Sequence, residues 1–200
     1  MNQAAMFKIG YGLYVLSTRI GEKDNGCIIN TVTQVTDTPL RATVVVNKQN
    51  LTHDMLMHSK TFNVSVLDQT VPFEVFKQFG FQSGRQADKF AGVQTARSQN
   101  GLLYLPHNTS AFLSGSVVDT IDLGTHTLFL ADITDGQVLS QVPSVTYDYY
   151  QAHIKPKPQK TEKKGWRCKI CGYIYEGEEL PADFICPLCK HGAVDFEKVG

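Results

Sequence analysis

The sequence predicts a mainly β protein: one barrel-sized β domain with a few short helices, followed by a small C-terminal domain built round a metal ion. Three observations predict it. Through residues 1–150, runs rich in Val, Ile, Thr and Tyr alternate with Gly, Asp, Asn and Pro clusters, the pattern of short antiparallel strands. Near the C-terminal end stand two Cys-x-x-Cys pairs. Between the two regions lies QAHIKPKPQKTEKK, rich in Lys and Pro and without an apolar face to bury.

In chain order, strands are expected at 13–19, 26–32, 40–47 and 61–67, then at 101–105, 112–121 and 125–134, spaced as a meander or barrel spaces them. Two short helices interrupt them. One, at 51–58, follows the potential N-cap Asn50; the other, at 72–79, has Pro72 at a first helical position. Residues 80–100 turn polar and Gly-containing, as a functional loop does. The division expected is therefore a β domain at 1–150, a linker at 151–164 and a metal domain at 165–200. Twelve residues, 153–164, span about 19 Å as a flexible coil or about 37 Å extended. Such a tether holds the small domain near the barrel at an effective concentration on the order of millimolar.

Nineteen Lys+Arg balance nineteen Asp+Glu, which excludes a chain-wide binder of nucleic acid or another polyanion. The balance is a sum of unlike parts: net −2 over 1–150, +4 over 151–164 and −2 over 165–200. The linker lysines read as solvation of a hinge. No run reaches the ~18 apolar residues of a membrane helix, and Lys8 interrupts what a signal-peptide core would need, so a cytoplasmic protein is expected. Five cysteines, an odd number, fit a reduced compartment better than a disulfide framework. Cys27 stands apart from the other four and reads as a small buried filler.

The stretch NGCIINTVTQVTDTPLRATVVVNKQNLTHDML resembles the flavin-reductase-like FMN-binding split-barrel family. Residues 80–90 (GFQSGRQADKF) resemble that family's Ser-Gly-Arg loop, and GTHTLFLADI resembles its Gly-Asp-His-Thr strand, with Thr125 in place of Asp. The resemblance spans roughly 6–150 and implies a split β-barrel, FMN as cofactor, NADH or NADPH as donor and a homodimer. Asn47, Lys48, Asn50 and Thr52, where a strand ends and a helix begins, offer the cation, amide, hydroxyl and free N–H groups that a flavin phosphate needs. Arg85 and Lys89 would add charge; Ser83 and Gly84 would let backbone approach closely. Thr31, Thr33 and Gln34 fall in the strand and turn that line the isoalloxazine ring in this family, and His126 on its nicotinamide side. Outside the family pattern, the same residues read as a capped polar corner, a solvated loop and a β-prone Thr pair, and His53 as a packed or surface residue.

Cys168, Cys171, Cys186 and Cys189 form two knuckles separated by fourteen residues, a spacing that lets four soft thiolates meet on one tetrahedral ion. A piece this small lacks the apolar area to fold alone, so the metal is also structural. Spacing leaves iron and zinc open. The segment WRCKICGYIYEGEELPADFICPLCKHGAVDFEKV resembles rubredoxin at CxxCGYIY and CPLC, which implies an Fe(Cys)4 centre packed by Trp166, Tyr173, Tyr175, Phe184 and Phe196. It departs from simple rubredoxins in a shorter stretch between knuckles, nearer the rubredoxin-like domains of rubrerythrins, and in Lys190 where many have Gly. Glu176, Glu178, Glu179 and Asp183 form an acidic edge, either solvated or suited to a basic partner. Joined, the two resemblances match fusions of a flavin-reductase-like barrel with rubredoxin. They imply an oxidoreductase that passes electrons from NAD(P)H through FMN to iron and on to a flavodiiron protein that reduces O2 or NO. The alternatives are a zinc-ribbon tail on a flavin-binding barrel, or a flavin reductase without internal transfer to the metal.

Overall fold

The computed structural model describes residues 2–156 and 165–199. The chain divides into two units, Met1–Lys155 and Pro156–Gly200, each with its own core.

In the first unit seven strands form one antiparallel sheet: β1 (Tyr14–Ile20), β2 (Lys23–Ile29), β3 (Val32–Asp37), β4 (Leu40–Asn47), β5 (Thr61–Leu67), and two long strands, Thr109–Asp122 and His126–Val138. With β6 (Ala96–Arg97) and β7 (Leu103–Tyr104) forming a separate hairpin, the long strands are β8 and β9, and the sheet order is β2-β1-β5-β8-β9-β4-β3. Side chains two apart share a face. Leu16, Ile29, Val44, Val46, Phe62, Val64 and Phe129 accordingly meet in one buried cluster, although β2 and β4 are far apart in the sheet order. The sheet has curled on itself. Val45 N–H to Thr31 C=O, 3.3 Å, extends the β3–β4 pairing by one position, to the residue just before β3. β8 and β9 manage the bend through register shifts at Ser114/Gly115 and Val117/Asp119.

The other face of β1 and β5 packs on a second apolar layer from α2 (Phe73–Gly80), Phe90, Leu103, Leu105, Val145 and Tyr150. The expected strand at 101–105 shortens to β7 because side chains take its carbonyls. Ser17 Oγ donates to Leu103 C=O, and Asn63 Nδ2 donates to Leu102 C=O at 3.0 Å.

Other elements differ from expectation too. β2 lies three residues earlier than 26–32, and β8 and β9 outrun 112–121 and 125–134. β3 adds an edge strand whose residues after Val32 are all exposed, too polar to stand out by alternation. α1 (Leu51–Ser59) ends one residue later than expected, closed by Lys60 at φ 57°. Tyr147–Tyr149 begins a helical turn, with Thr146 Oγ1 accepting the Tyr149 N–H, and continues as a π-helix through Tyr150–Ile154. Tyr150 is buried against Phe76, ring centroids 4.5 Å apart, and Ile154 packs on the same layer. Ordered structure thus runs into the stretch expected as linker from 151, because its aromatic flank supplies an apolar face that Lys and Pro composition hides. Residues 157–164 of that linker lie outside the described residues.

In the second unit β10 (Gly165–Cys168) pairs with β11 (Ile174–Tyr175) and β12 (Phe196–Val199). Among the described residues no helix is long and apolar enough to cross a membrane.

Candidate functional site

A cleft of about 370 Å³ opens where β4 hands over to α1, and Thr31, Asn47, Asn50 and His126 all line it. Strand register makes this meeting: Asn47 on β4 pairs with His126 at the start of β9. Asn50 is extended (φ −75°, ψ 133°) at the helix start, and its side chain makes no cap bond, so the amide is not consumed by the helix. Thr31 Oγ1 donates to Val45 C=O at 3.2 Å, and Nδ1 of His126 lies 2.9 Å from Thr125 Oγ1. Asn30 and Leu123 line the cleft too. Neither carried a signal of its own; both follow from the strand ends beside them.

Lys48, the residue after Asn47, is not among the lining residues; its Nζ lies 2.6 Å from Asp122, whose carboxylate also accepts the Gly124 N–H at 2.7 Å. Lys48 first, then Gly124, holds the Asp122 carboxyl below the usual range. A turn between β8 and β9 has thus already matched the lysine with an anion.

The remaining expected ligands do not converge there. Thr33 and Gln34 sit on the exposed edge strand β3, where Gln34 Nε2 reaches only Thr36 C=O at 3.4 Å. Thr52 is fully buried and accepts the Asn25 Nδ2–H at 2.8 Å, which removes it from a solvent-facing cradle. Lys89 is 3% exposed and donates to Phe79 C=O at 2.9 Å; burial pushes its pKa down. It closes the base of the loop rather than offering charge to solvent. His53 is buried with Nε2 2.9 Å from Thr127 Oγ1. Gly84 and Arg85 line a separate cavity of about 730 Å³ beside the β1–β2 turn. Ser83 Oγ accepts the Arg85 N–H at 3.3 Å, and the Arg85 guanidinium donates to Asp54 of α1 at 2.6 Å. That pair, helped by His53, keeps the Asp54 carboxyl low. Asp54 was missed in the sequence because its partner lies 31 residues away.

In the second unit the four cysteine sulfurs lie within 4.8 Å of one another. The two knuckles repeat one local design. Gly172 and Lys190 both take left-handed backbone, φ 80° and 62°, and each donates its N–H at 2.9 Å to the carbonyl of the first cysteine of its own knuckle. Glycine does this freely; a lysine there costs on the order of 1–2 kcal/mol. The Tyr173 N–H points to Cys171 Sγ and the His191 N–H to Cys189 Sγ, while Cys189 and Leu188 N–H groups face Cys186. Burial pushes the Cys171 thiol up to about 11 and raises that of Cys189 further. Four thiols this close cannot all ionise beside one another unless a cation sits among them, and a soft divalent or trivalent ion reverses that penalty. The donor set fits such an ion. Cys168 and Cys186 are buried, Cys171 and Cys189 half-buried, so the site has one edge toward solvent.

Comparison with known proteins agrees with both units. Residues 6–157 match the flavin reductase like domain family, and residues 166–197 match the rubredoxin-like domain of rubrerythrin. The chain is 37% identical to high molecular weight rubredoxin of Moorella thermoacetica, covering 100% of both. It is 35% identical over 161 residues to the ferric-chelate reductase (NAD(P)H) of Archaeoglobus fulgidus, covering 80% of this chain and 95% of that one. Among solved structures, the NADH:FAD oxidoreductase of Streptomyces globisporus C-1027 shares the fold at TM-score 0.64 and 21% identity, over 72% of this chain and 85% of that one. An FMN-binding protein of Thermus thermophilus does so at 0.60 and 19%, over 66% and 72%. The chain therefore belongs to the flavin reductase like domain family, in the form that carries a rubredoxin-like domain after the barrel.

Proposed function

We propose that this protein is an NAD(P)H-dependent electron-transfer oxidoreductase that takes reducing equivalents at FMN in the barrel and delivers them from an iron held by Cys168, Cys171, Cys186 and Cys189. The observation that carries the reading is the convergence of four thiols, within 4.8 Å, in the same chain as a flavin reductase fold. When bound, flavin accepts the two electrons of a hydride and releases them singly, the unit in which a single iron accepts them. The barrel's own part is to hold and shield. Asn50 and the first N–H groups of α1 face the phosphate, joined by Lys48 once it leaves Asp122. Thr31, Asn47 and His126 line the ring's cleft. In the second unit, N–H groups directed at the sulfurs stabilise thiolate charge, and the half-buried Cys171 and Cys189 form the edge through which electrons leave. The acceptor in this reading is a flavodiiron-type protein. The 37% identity to a high molecular weight rubredoxin supports the pairing of flavin with iron, the NAD(P)H-dependent ferric-chelate reductase of Archaeoglobus supports the donor, and the fold shared with an FMN-binding protein of Thermus supports the flavin. The unpaired cysteines suit a reducing cytoplasm.

A second copy of the chain would cover the apolar groove of about 420 Å³ lined by β8, β9 and Leu40 at the start of β4, where Leu40 and Val138 are 46% and 65% exposed. Sedimentation should give a dimer, and Val138→Asp a monomer.

The spectrum of the purified protein before and after anaerobic NADH or NADPH tests the function. Flavin bands and red iron–thiolate bands should both bleach, the iron bands only in protein that retains FMN. A colourless, zinc-loaded tail would overturn the carrier role. Flavin bleaching with iron bands unchanged would leave a flavin reductase without internal transfer.

A further inference from the structure

The loop after α2, which carries Ser83, Gly84 and Arg85, is fastened to α1 from two sides. Outside, Arg85 donates to Asp54. Inside stands Asn25 of β2, 2% exposed, with Nδ2 donating at 2.8 Å to Thr52 Oγ1 on the first turn of α1. A β-carbon added at Gly84 would lie 2.2 Å from Asn25 Oδ1 and 2.7 Å from its Cγ. Residue 84 therefore seats directly on the Asn25 amide. The amide cannot swing away, because it is buried and its nitrogen is engaged. Glycine is needed here for space.

We propose that Asn25 is a positioning residue for the cofactor site: held by Thr52, it is the seat on which Gly84 rests, and it locks the Ser83-Gly84-Arg85 loop to the N-terminal turn of α1 before any ligand arrives. The inference rests on the flavin-binding reading of the barrel. Its physical consequence is preorganisation. The loop braces the first turn of α1, whose N–H groups face the phosphate in that reading, so fixing this turn is a cost met in folding and FMN binding does not bear it. Neither Asn25 nor Thr52 touches FMN in this account; both act through the loop and the helix turn.

The test uses the full-length protein stripped of flavin and titrated with FMN, read by quenching of flavin fluorescence. Amide hydrogen exchange of residues 81–88 in the flavin-free protein is the second readout. Asn25→Ala should weaken FMN affinity by roughly ten-fold and speed exchange in the loop, well below the melting temperature. Gly84→Ala should do the same through the clash. Placed in the Asn25→Ala background, Gly84→Ala should recover affinity relative to Gly84→Ala alone, since its methyl group enters the space the amide leaves. A general packing loss predicts the opposite, with the two defects adding, and that result overturns the proposal. So does an Asn25→Ala protein with wild-type affinity and loop exchange. If Gly84→Ala does not fold, Asn25→Ala and Asn25→Ser decide by the same two readouts. A wild-type protein that takes up no FMN at all would sink the flavin reading itself, and the proposal with it; FMN binding untouched by Asn25 substitution sinks the proposal alone.

Discussion

Lys48 reaches a phosphate only by giving up a carboxylate, since its amine already sits 2.6 Å from Asp122. The lysine side chain is 35% exposed and that of Asp122 71%, so the pair is screened and its exchange for phosphate is shallow in energy. Lys48→Ala should weaken FMN binding by roughly two- to five-fold, and Asp122→Asn should tighten it by a similar factor by removing the competitor. Calorimetric titration of flavin-free protein checks both signs; weaker binding in Asp122→Asn would show that the carboxylate orients the lysine. Asp54 makes a pH-dependent counterpart. Hydrogen bonding from Arg85, then from His53, depresses its pKa. The pair with Arg85 is therefore intact above the ordinary aspartate range, about 3.9, and is lost as pH falls through the lower folded value. Asp54→Asn should reproduce at pH 7 the loosened loop that the wild type shows only at such acidity. Hydrogen exchange of residues 81–88, corrected for its intrinsic pH dependence, reads it.

β8 is an element that works only because one of its residues lacks a side chain. A β-carbon on Gly115 would stand 2.3 Å from the ring of Phe62, which is 1% exposed at the centre of the barrel. The register shift beside Gly115 and the absence of its side chain together let the strand bend over that ring. Gly115→Ala should destabilise the barrel by about 1–3 kcal/mol, lowering its melting midpoint by roughly 3–10 °C, and Phe62→Leu in the same chain should return part of the loss. Strands such as β4 and β5 were legible in the sequence because they are short runs rich in Val and Thr bounded by Gly, Asp, Asn or Pro clusters, and the start of α1 because Asn50 precedes it. The cysteine knuckles were legible because a metal site's spacing is local. What the sequence hid depends on contacts across the chain. Lys89 looks like a solvated loop lysine until Phe79 C=O and a buried layer close over it. Thr52 looks like a cap hydroxyl until Asn25 claims it from 27 residues away. β3, too polar to read as a strand, is held by pairing to β4 alone, and so Thr33 and Gln34 fall on an exposed edge.

The two units differ in what keeps them folded. The barrel unit has two apolar clusters of its own, each with ten or more buried residues. In 165–199 the buried residues of the core are Cys168, Cys186 and Phe196, so two of the three are thiols whose protons must leave for a metal to bind. The aromatics Trp166, Tyr173, Tyr175 and Phe184 pack around them but remain partly exposed. Chains below ~40 residues seldom bury enough surface to fold without a metal or disulfide, and the cysteines here form no disulfide. Metal binding is thus folding free energy for the second unit and not for the first. Cys186→Ser, or removal of the ion by chelation under reducing conditions, should abolish the iron–thiolate bands and the slow hydrogen exchange of 165–199. The barrel should keep its melting midpoint and its FMN affinity. Reduction of free flavin by NAD(P)H should survive with it, while reduction of a one-electron acceptor that needs the iron edge should stop. A barrel that lost stability along with the metal would mean that the two cores fold as one cooperative system. A second unit that kept its protection without metal would mean that its aromatic packing, not its thiolates, holds it together.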